Sequence, residues 1–165
     1  MGSRGETVEI VLEDTGIRKA LRALEWVQFN IPRATTALGV VLLAGLAGVQ
    51  FYLVLGDLGY PLWLTVYHCV LIAGWAAAAI LMMTGRSVTA AQLGWFVGDV
   101  VAAVYLVIYL ISRIVGLPGA PYLRGWWDFA AGTLGMLFAL GFLGGHASIL
   151  AGVMIARPQR RGWRD

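Results

Sequence analysis

Long apolar stretches alternate with short polar ones along most of the chain. Four of the apolar stretches reach or exceed about 20 residues, which is the length that a helix needs to cross a hydrocarbon core of about 30 Å. They cover residues 34–55, 61–84, 90–112 and 127–156. The pattern therefore predicts an all-α membrane protein, in which four transmembrane helices form a bundle.

Polar segments flank the bundle at both ends of the chain. Residues 1–33 are predicted to form a cytoplasmic leader. Within it, apolar residues three and four apart over residues 16–29 predict an amphipathic helix that lies on the membrane surface. Residues 157–165 form a basic tail, predicted to be cytoplasmic as well. The predicted organisation is therefore a leader, a bundle over residues 34–156 and a tail.

Basic residues are concentrated on one side of the predicted membrane. Those before the first span, between the second and third, and after the fourth include Arg18, Lys19, Arg22, Arg33, Arg86, Arg157, Arg160, Arg161 and Arg164. The two alternate connections carry only Arg113 and Arg124. Because short cytoplasmic segments are enriched in Lys and Arg, both termini are predicted to be cytoplasmic.

Composition agrees with the membrane class. Hydrophobic residues make up 59% of the chain and charged residues 13%, against about 25% charged in a typical soluble domain. The net charge is +3, but the basic residues flank apolar spans, where they match lipid head groups. Basic residues interleaved with exposed aromatic residues do not occur, so no nucleic-acid partner is expected.

The connection between the third and fourth spans is the longest and carries charge. Arg113 ends the third span and Asp128 begins the fourth, so the two residues are predicted to pair at the outer rim of the bundle. Asp128 also suits the N-terminus of a helix because of the helix dipole. Trp126 and Trp127 are predicted to anchor the start of the fourth span at the membrane interface.

The same connection carries a resemblance to other proteins. The stretch YLISRIVGLPG, from Tyr109 to Gly119, resembles a segment of small four-helix integral membrane proteins of high-GC bacteria, mostly of unassigned function. In these proteins a similar Ser-Arg-x-x-Gly-Leu-Pro-Gly run closes the third helix at the outer face. The resemblance implies a prokaryotic plasma (inner) membrane location and no particular reaction.

Pairs of glycines predict close helix contacts. Gly94 and Gly98 lie four apart on the third span, and Gly141 and Gly145 lie four apart on the fourth. Counted from the middle of the connection, Gly94 is level with Gly145 and Gly98 with Gly141, so the two notches are predicted to face each other. A second stripe of small residues faces either the first span, at Ala44 and Gly48, or another protein; it comprises Gly144, Ser148, Gly152 and Ala156.

Four polar residues lie deep within the predicted spans. Gln50 and His68 are equidistant from the first turn, so at 1.5 Å rise per residue they reach the same depth. Asp99 and His146 both lie in the inner half, on the third and fourth spans. Each pair is placed to hydrogen-bond across a helix hairpin.

These four residues permit three interpretations. They form interhelical hydrogen bonds worth about 0.5–2 kcal/mol each; or His146 or His68 ligates a metal, a haem or a chlorin pigment; or His68, Asp99 and His146 belong to a proton or ion path. Their differing depths weigh against a single haem held by both histidines.

Motifs for nucleophilic, metal-dependent or nucleotide chemistry are absent from the sequence. The sequence therefore predicts a non-catalytic multi-pass subunit or accessory protein of a larger membrane complex, without a cofactor. Its predicted partners are the lipid bilayer and other membrane proteins or further copies of the chain. The alternatives are a haem- or pigment-binding subunit and a small transporter or proton-conducting protein.

Overall fold

The computed structural model describes residues 31–56, 59–84, 87–127 and 130–157. This part of the chain is all-helical, with four long helices, α1 (Pro32–Leu55), α2 (Leu62–Thr84), α3 (Val88–Ile114) and α4 (Ala130–Leu150), and a short 3₁₀ helix (Pro121–Leu123). All four long helices are long and apolar enough to cross a membrane, as the sequence predicts. The predicted amphipathic helix lies outside the described residues.

Local sequence accounts for where these helices begin. Pro32 occupies the first turn of α1, where its fixed φ suits a helix and its missing N–H is not needed. Ser87 caps α3 by accepting a hydrogen bond from the backbone N–H of Ala90 at 3.2 Å. This cap starts α3 two residues before the predicted boundary, and the helix also continues two residues beyond Ser112.

The end of α4 differs from the prediction. The helix ends at Leu150 rather than at Ala156, because Gly152 adopts a left-handed conformation with φ of 75°. The N–H of Gly152 bonds to the carbonyl of Ile149 at 3.0 Å, and that of Val153 to the carbonyl of Ser148 at 2.9 Å. These bonds form a Schellman motif, which terminates a helix although the following residues remain apolar.

The four helices form a closed bundle. Each helix packs against its neighbours in sequence, and α4 packs against α1 to complete the ring. We call the end that holds the α1–α2 and α3–α4 connections the Arg113 end. The opposite end, with the start of α1 and the end of α4, is the Arg157 end. Between them lies a buried apolar layer that includes Leu43, Leu46, Trp75, Ala102, Ala139 and Phe142.

The four glycines of the predicted notches do not face one another, which corrects that prediction. A Cβ on Gly98 would lie 2.5 Å from Cζ of Phe142, whereas Gly141 faces Leu42 at 3.5 Å. Gly94 meets the backbone of α2, and Gly145 has nothing within 4 Å. The ring of Phe142 on α4 fills the space beside Gly98 on α3. Equal depth in the membrane was therefore not enough to predict which residue each glycine contacts.

The outside of the bundle is covered by large apolar side chains. Exposed examples occur on every helix and include Leu38, Val41, Val70, Phe96 and Leu137. A surface of this kind is typical of helices that are surrounded by lipid chains. It fits a bundle of transmembrane helices.

Candidate functional site

The structure brings Gln50 and His68 together in the half of the bundle nearer the Arg113 end. His68 Nδ1 and Gln50 Oε1 lie 2.5 Å apart, and both side chains are buried. An amide oxygen can only accept, so a neutral His68 carries its proton on Nδ1 and presents Nε2 as an acceptor. The rings of Tyr60 and Tyr67 flank the imidazole at centroid distances of 5.5 and 5.4 Å.

A small cavity with a largely apolar lining adjoins His68. Its volume is ≈ 50 Å³, which is room for a few water molecules. Polar residues in its lining are Tyr60, Tyr67, His68, Tyr105, Tyr109, Ser112 and Arg113. Tyr105 OH donates to the carbonyl of Gly132 at 3.3 Å, which joins α3 to α4 beside the cavity. A site of this size suits water or a very small polar ligand.

The connection after α3 folds over this cavity and is held by Arg113. Arg113 is 5% exposed, and its guanidinium donates to the carbonyl of Leu123 at 3.1 Å. It also lies over the rings of Tyr109 and Trp126, at 4.8 and 5.8 Å from their centroids. Asp128, its predicted partner, lies outside the described residues, so the predicted rim pair stays a prediction.

Further contacts fix the same connection. Trp63 Nε1 donates to the carbonyl of Pro118 at 3.2 Å, and Leu123 packs with Leu64 and Ala120 in a small apolar cluster. Trp126 joins this cluster, so it packs within the protein in addition to any anchoring role. Burial raises the pKa of Tyr60 to about 12, so this phenol on the α1–α2 connection stays protonated at neutral pH.

The structure also brings Asp99 and His146 together, in the half nearer the Arg157 end. His146 Nδ1 is hydrogen-bonded to Asp99 Oδ2. The ring of Trp95 stacks on the imidazole, with centroids 5.3 Å apart and planes 24° from parallel. A carboxylate on Nδ1 fixes the orientation of the imidazole and leaves Nε2 as the second nitrogen, the arrangement found behind many metal-ligating histidines.

His146 and Trp95 line a second cavity of ≈ 200 Å³. Its other lining residues come from the start of α3, from the end of α4 and from the turn that follows α4. They include Gln92, Ile149 and Arg157. The cavity offers a single imidazole, and the described residues contain no group of three or more His, Cys, Asp or Glu side chains placed to share a metal ion. It is therefore a candidate for a ligand bound by one histidine.

The two polar pairs occupy different layers of the bundle. Tyr105 lies beside the first pair and Asp99 belongs to the second. The offset of six positions between them on α3 corresponds to about 9 Å along the helix. Trp75 and Phe142, both 0% exposed, fill the level between the pairs. His68 and His146 are thus paired separately and are not placed to hold one cofactor together.

Trp95 is the residue that the sequence reasoning missed. A tryptophan near the end of an apolar span is usually interfacial, whereas the structure buries Trp95 against His146 and Phe142. Its position four residues before Asp99 was the available signal, because residues i and i+4 share one face of a helix. The pairing of each polar residue across its hairpin, in contrast, follows from counting residues from the turn.

Comparisons with protein-family models, with curated proteins and with solved structures find no match for this chain.

Proposed function

We propose that this chain is a non-catalytic multi-pass subunit or accessory protein of a larger assembly in the prokaryotic plasma membrane. The observation that carries the proposal is that α1 and α4 each have an exposed glycine with no neighbouring side chain over it. Gly48 on α1 and Gly144 on α4 are exposed, and a Cβ on either would meet nothing within 4 Å.

Helix packing in lipid explains why these glycines support a partner. Small residues let two helices approach closely, and such contacts stabilise association where the hydrophobic effect between helices is absent. Large exposed side chains flank these glycines, Phe51 on α1 and Leu140 on α4. Other exposed residues one turn away are small, namely Ala44, Gly141 and Ala147. Gly48 and Gly144 therefore form shallow notches where a helix of another protein, or of a second copy, can approach.

The interior of the bundle supports a non-catalytic role. Gln50 pairs with His68 and Asp99 with His146 across the helix hairpins, and aromatic rings fill the space between the two pairs. Catalysis requires a reacting group that a substrate can reach together with a second group that assists it. The cavity beside His68 has a volume of only ≈ 50 Å³. The larger cavity beside His146 has no Ser, Thr or Cys among its described lining residues to act as a nucleophile.

Crosslinking from the notches tests the proposal. We expect a photoreactive residue at position 48 or 144 to give discrete adducts of fixed mass in native membranes. The matched control is position 77, where Ala77 is likewise small and exposed but lies on α2; it should give lipid adducts only. Adducts to lipid alone from all three positions would contradict the proposal.

Orientation is part of the same proposal. We propose that both termini are cytoplasmic, because ten of the twelve basic residues precede the first span, connect the second to the third or follow the fourth. The other two connections carry only Arg113 and Arg124. Protease added to intact cells should leave tags at both termini uncut and should cut them after the cells are opened. Cleavage of either tag in intact cells would overturn the orientation.

A second candidate function rests on His146. The imidazole is fixed by Asp99, is flanked by Trp95 and lines the ≈ 200 Å³ cavity. His146 would therefore offer one oriented imidazole to the metal of a haem or chlorin. The gently purified protein would then carry a Soret or chlorin band that His146→Ala removes. A colourless protein extracted from its native membrane would exclude this candidate.

A further inference from the structure

A groove at the Arg157 end of the bundle combines two arginines with an apolar floor. It lies between the first turns of α1 and the last turn of α2, and its volume is ≈ 420 Å³. Arg33 and Arg157 line it, together with Thr36. The apolar lining residues are Ala37, Val40, Val41, Met82 and Met83.

The turn after α4 brings the two arginines together. After Gly152 the chain folds back, and Ile155 and Ala156 become buried. The backbone N–H of Arg157 donates to Thr36 Oγ1 at 3.0 Å and to the carbonyl of Pro32 at 3.3 Å. These bonds use only the backbone of Arg157, so its guanidinium remains available to a ligand.

The lining changes from charged to apolar as it follows α1 into the bundle. Arg33 lies in the first turn of α1, and Val40 and Val41 lie about two turns further along the helix. Among the described residues that line the groove, none is acidic. Two guanidiniums beside an apolar surface match the chemistry of a phospholipid, whose phosphate lies at the interface and whose acyl chains lie deeper.

We propose that this groove binds one anionic phospholipid, with its phosphate between Arg33 and Arg157 and its acyl chains against Val40, Val41, Met82 and Met83. A negatively charged head group balances the two arginines, whereas a zwitterionic head group brings its own cation into the groove. Free phosphate would use the arginines but leave the apolar floor uncovered. The proposal requires only that the helices span a bilayer, and it holds with or without protein partners.

Thermal unfolding of the purified full chain in a neutral detergent tests this site. We expect added phosphatidylglycerol to raise the unfolding temperature by several degrees, and phosphatidylcholine or inorganic phosphate at the same concentration to leave it unchanged. Arg33→Gln combined with Arg157→Gln should remove the rise. Arg124→Gln, which removes an exposed arginine at the Arg113 end, should retain it.

A second measurement covers the case in which the double variant is too unstable to purify. Native mass spectrometry of the wild-type chain and of each single variant counts phosphatidylglycerol molecules retained per chain. The proposal predicts one retained lipid in the wild type and at least a fivefold lower occupancy in Arg33→Gln and in Arg157→Gln. Equal retention in these variants, an equal effect of phosphatidylcholine, or full stabilisation by inorganic phosphate would each overturn it.

Discussion

Gln50 determines the tautomer and the orientation of the His68 imidazole inside the bundle. Its amide oxygen holds the Nδ1 proton of a neutral imidazole, with the two atoms 2.5 Å apart, so Nε2 is the nitrogen left for other contacts. Asp99 acts on His146 in the same way. At the scale of single residues, each histidine is therefore an oriented group whose partner comes from another helix.

Removing the amide of Gln50 tests this pairing. Gln50→Leu should lower the free energy of unfolding by about 1–2 kcal/mol, because the Nδ1–H of His68 loses its acceptor while it stays buried. Unfolding in mixed micelles measures the change. In a double-mutant cycle, Gln50→Leu combined with His68→Leu should cost less than the sum of the single variants. Strict additivity would show that the two side chains do not interact.

The contact of Gly98 with Phe142 gives a sharper prediction. Gly98→Ala should destabilise the chain by about 1–3 kcal/mol, because the added methyl group would lie 2.5 Å from Cζ of Phe142. Gly144→Ala is the matched control on an exposed surface and should be neutral or slightly stabilising in the isolated chain. Adding Phe142→Leu to Gly98→Ala should recover part of the loss. If both alanine variants unfold alike, the close contact is wrong.

Arg113 is the residue that joins the α3–α4 connection to the bundle. Its guanidinium contacts Leu123, Tyr109 and Trp126, and its own carbonyl accepts a hydrogen bond from the N–H of Gly125 at 2.8 Å. At the scale of elements, a connection with two prolines and several glycines becomes an ordered cover over the cavity beside His68.

Hydrogen exchange measures that order. Arg113→Gln should weaken the closed form of the connection by about 1.4 kcal/mol, since it removes the contacts of the guanidinium with Leu123, Tyr109 and Trp126. Amides of residues 123–126 should then exchange about tenfold faster. Arg124→Gln, an exposed arginine on the same connection, should leave exchange of these amides unchanged. Equal protection of these amides from exchange in both variants would show that Arg113 does not order the connection.

How well each helix could be predicted depends on what defines its ends. The beginnings of α1 and α3 follow from Pro32 and Ser87, which have local preferences for these positions. The end of α4 could not be read from hydropathy, since Val153, Met154 and Ile155 remain apolar after the left-handed Gly152. Gly152 and its Schellman hydrogen bonds end the helix, and the bonds of Arg157 to Thr36 and Pro32 hold the following turn against α1.

The polar pairs were more predictable than the glycine contacts for a physical reason. A buried polar group needs a hydrogen-bonding partner, so few residues are available to each at a given depth. A glycine only provides space, and any ring of suitable size can fill it. Counting residues from each turn therefore predicted the pairing of Gln50 with His68 and of Asp99 with His146. The same count matched Gly98 with Gly141, whereas Gly98 contacts Phe142.

At the scale of the whole bundle, the described helices contain two buried polar pairs separated by an apolar layer. Trp75 and Phe142 occupy the intervening layer with no exposed surface, and neither side chain can relay protons along the bundle. The arrangement orients four helices without opening a path between the two ends. It favours a scaffold over a conducting protein.

Flux measurements test the closed layer. Proteoliposomes that contain the chain should acidify no faster than empty liposomes under an imposed pH gradient, because within the described helices no chain of titratable groups crosses the apolar layer. Asp99→Asn should give the same result. A proton flux in the wild type that Asp99→Asn abolishes would instead establish a conducting protein.

The size of the native particle tests the central claim most directly. The tagged chain would be extracted from its own membrane in mild detergent, and its particle mass and companions determined. We predict a particle much larger than the 17.8 kDa chain, with companions in fixed proportion that are lost when Gly48 and Gly144 are replaced by Leu. A particle that contains only one copy of this chain would contradict the assignment as a subunit.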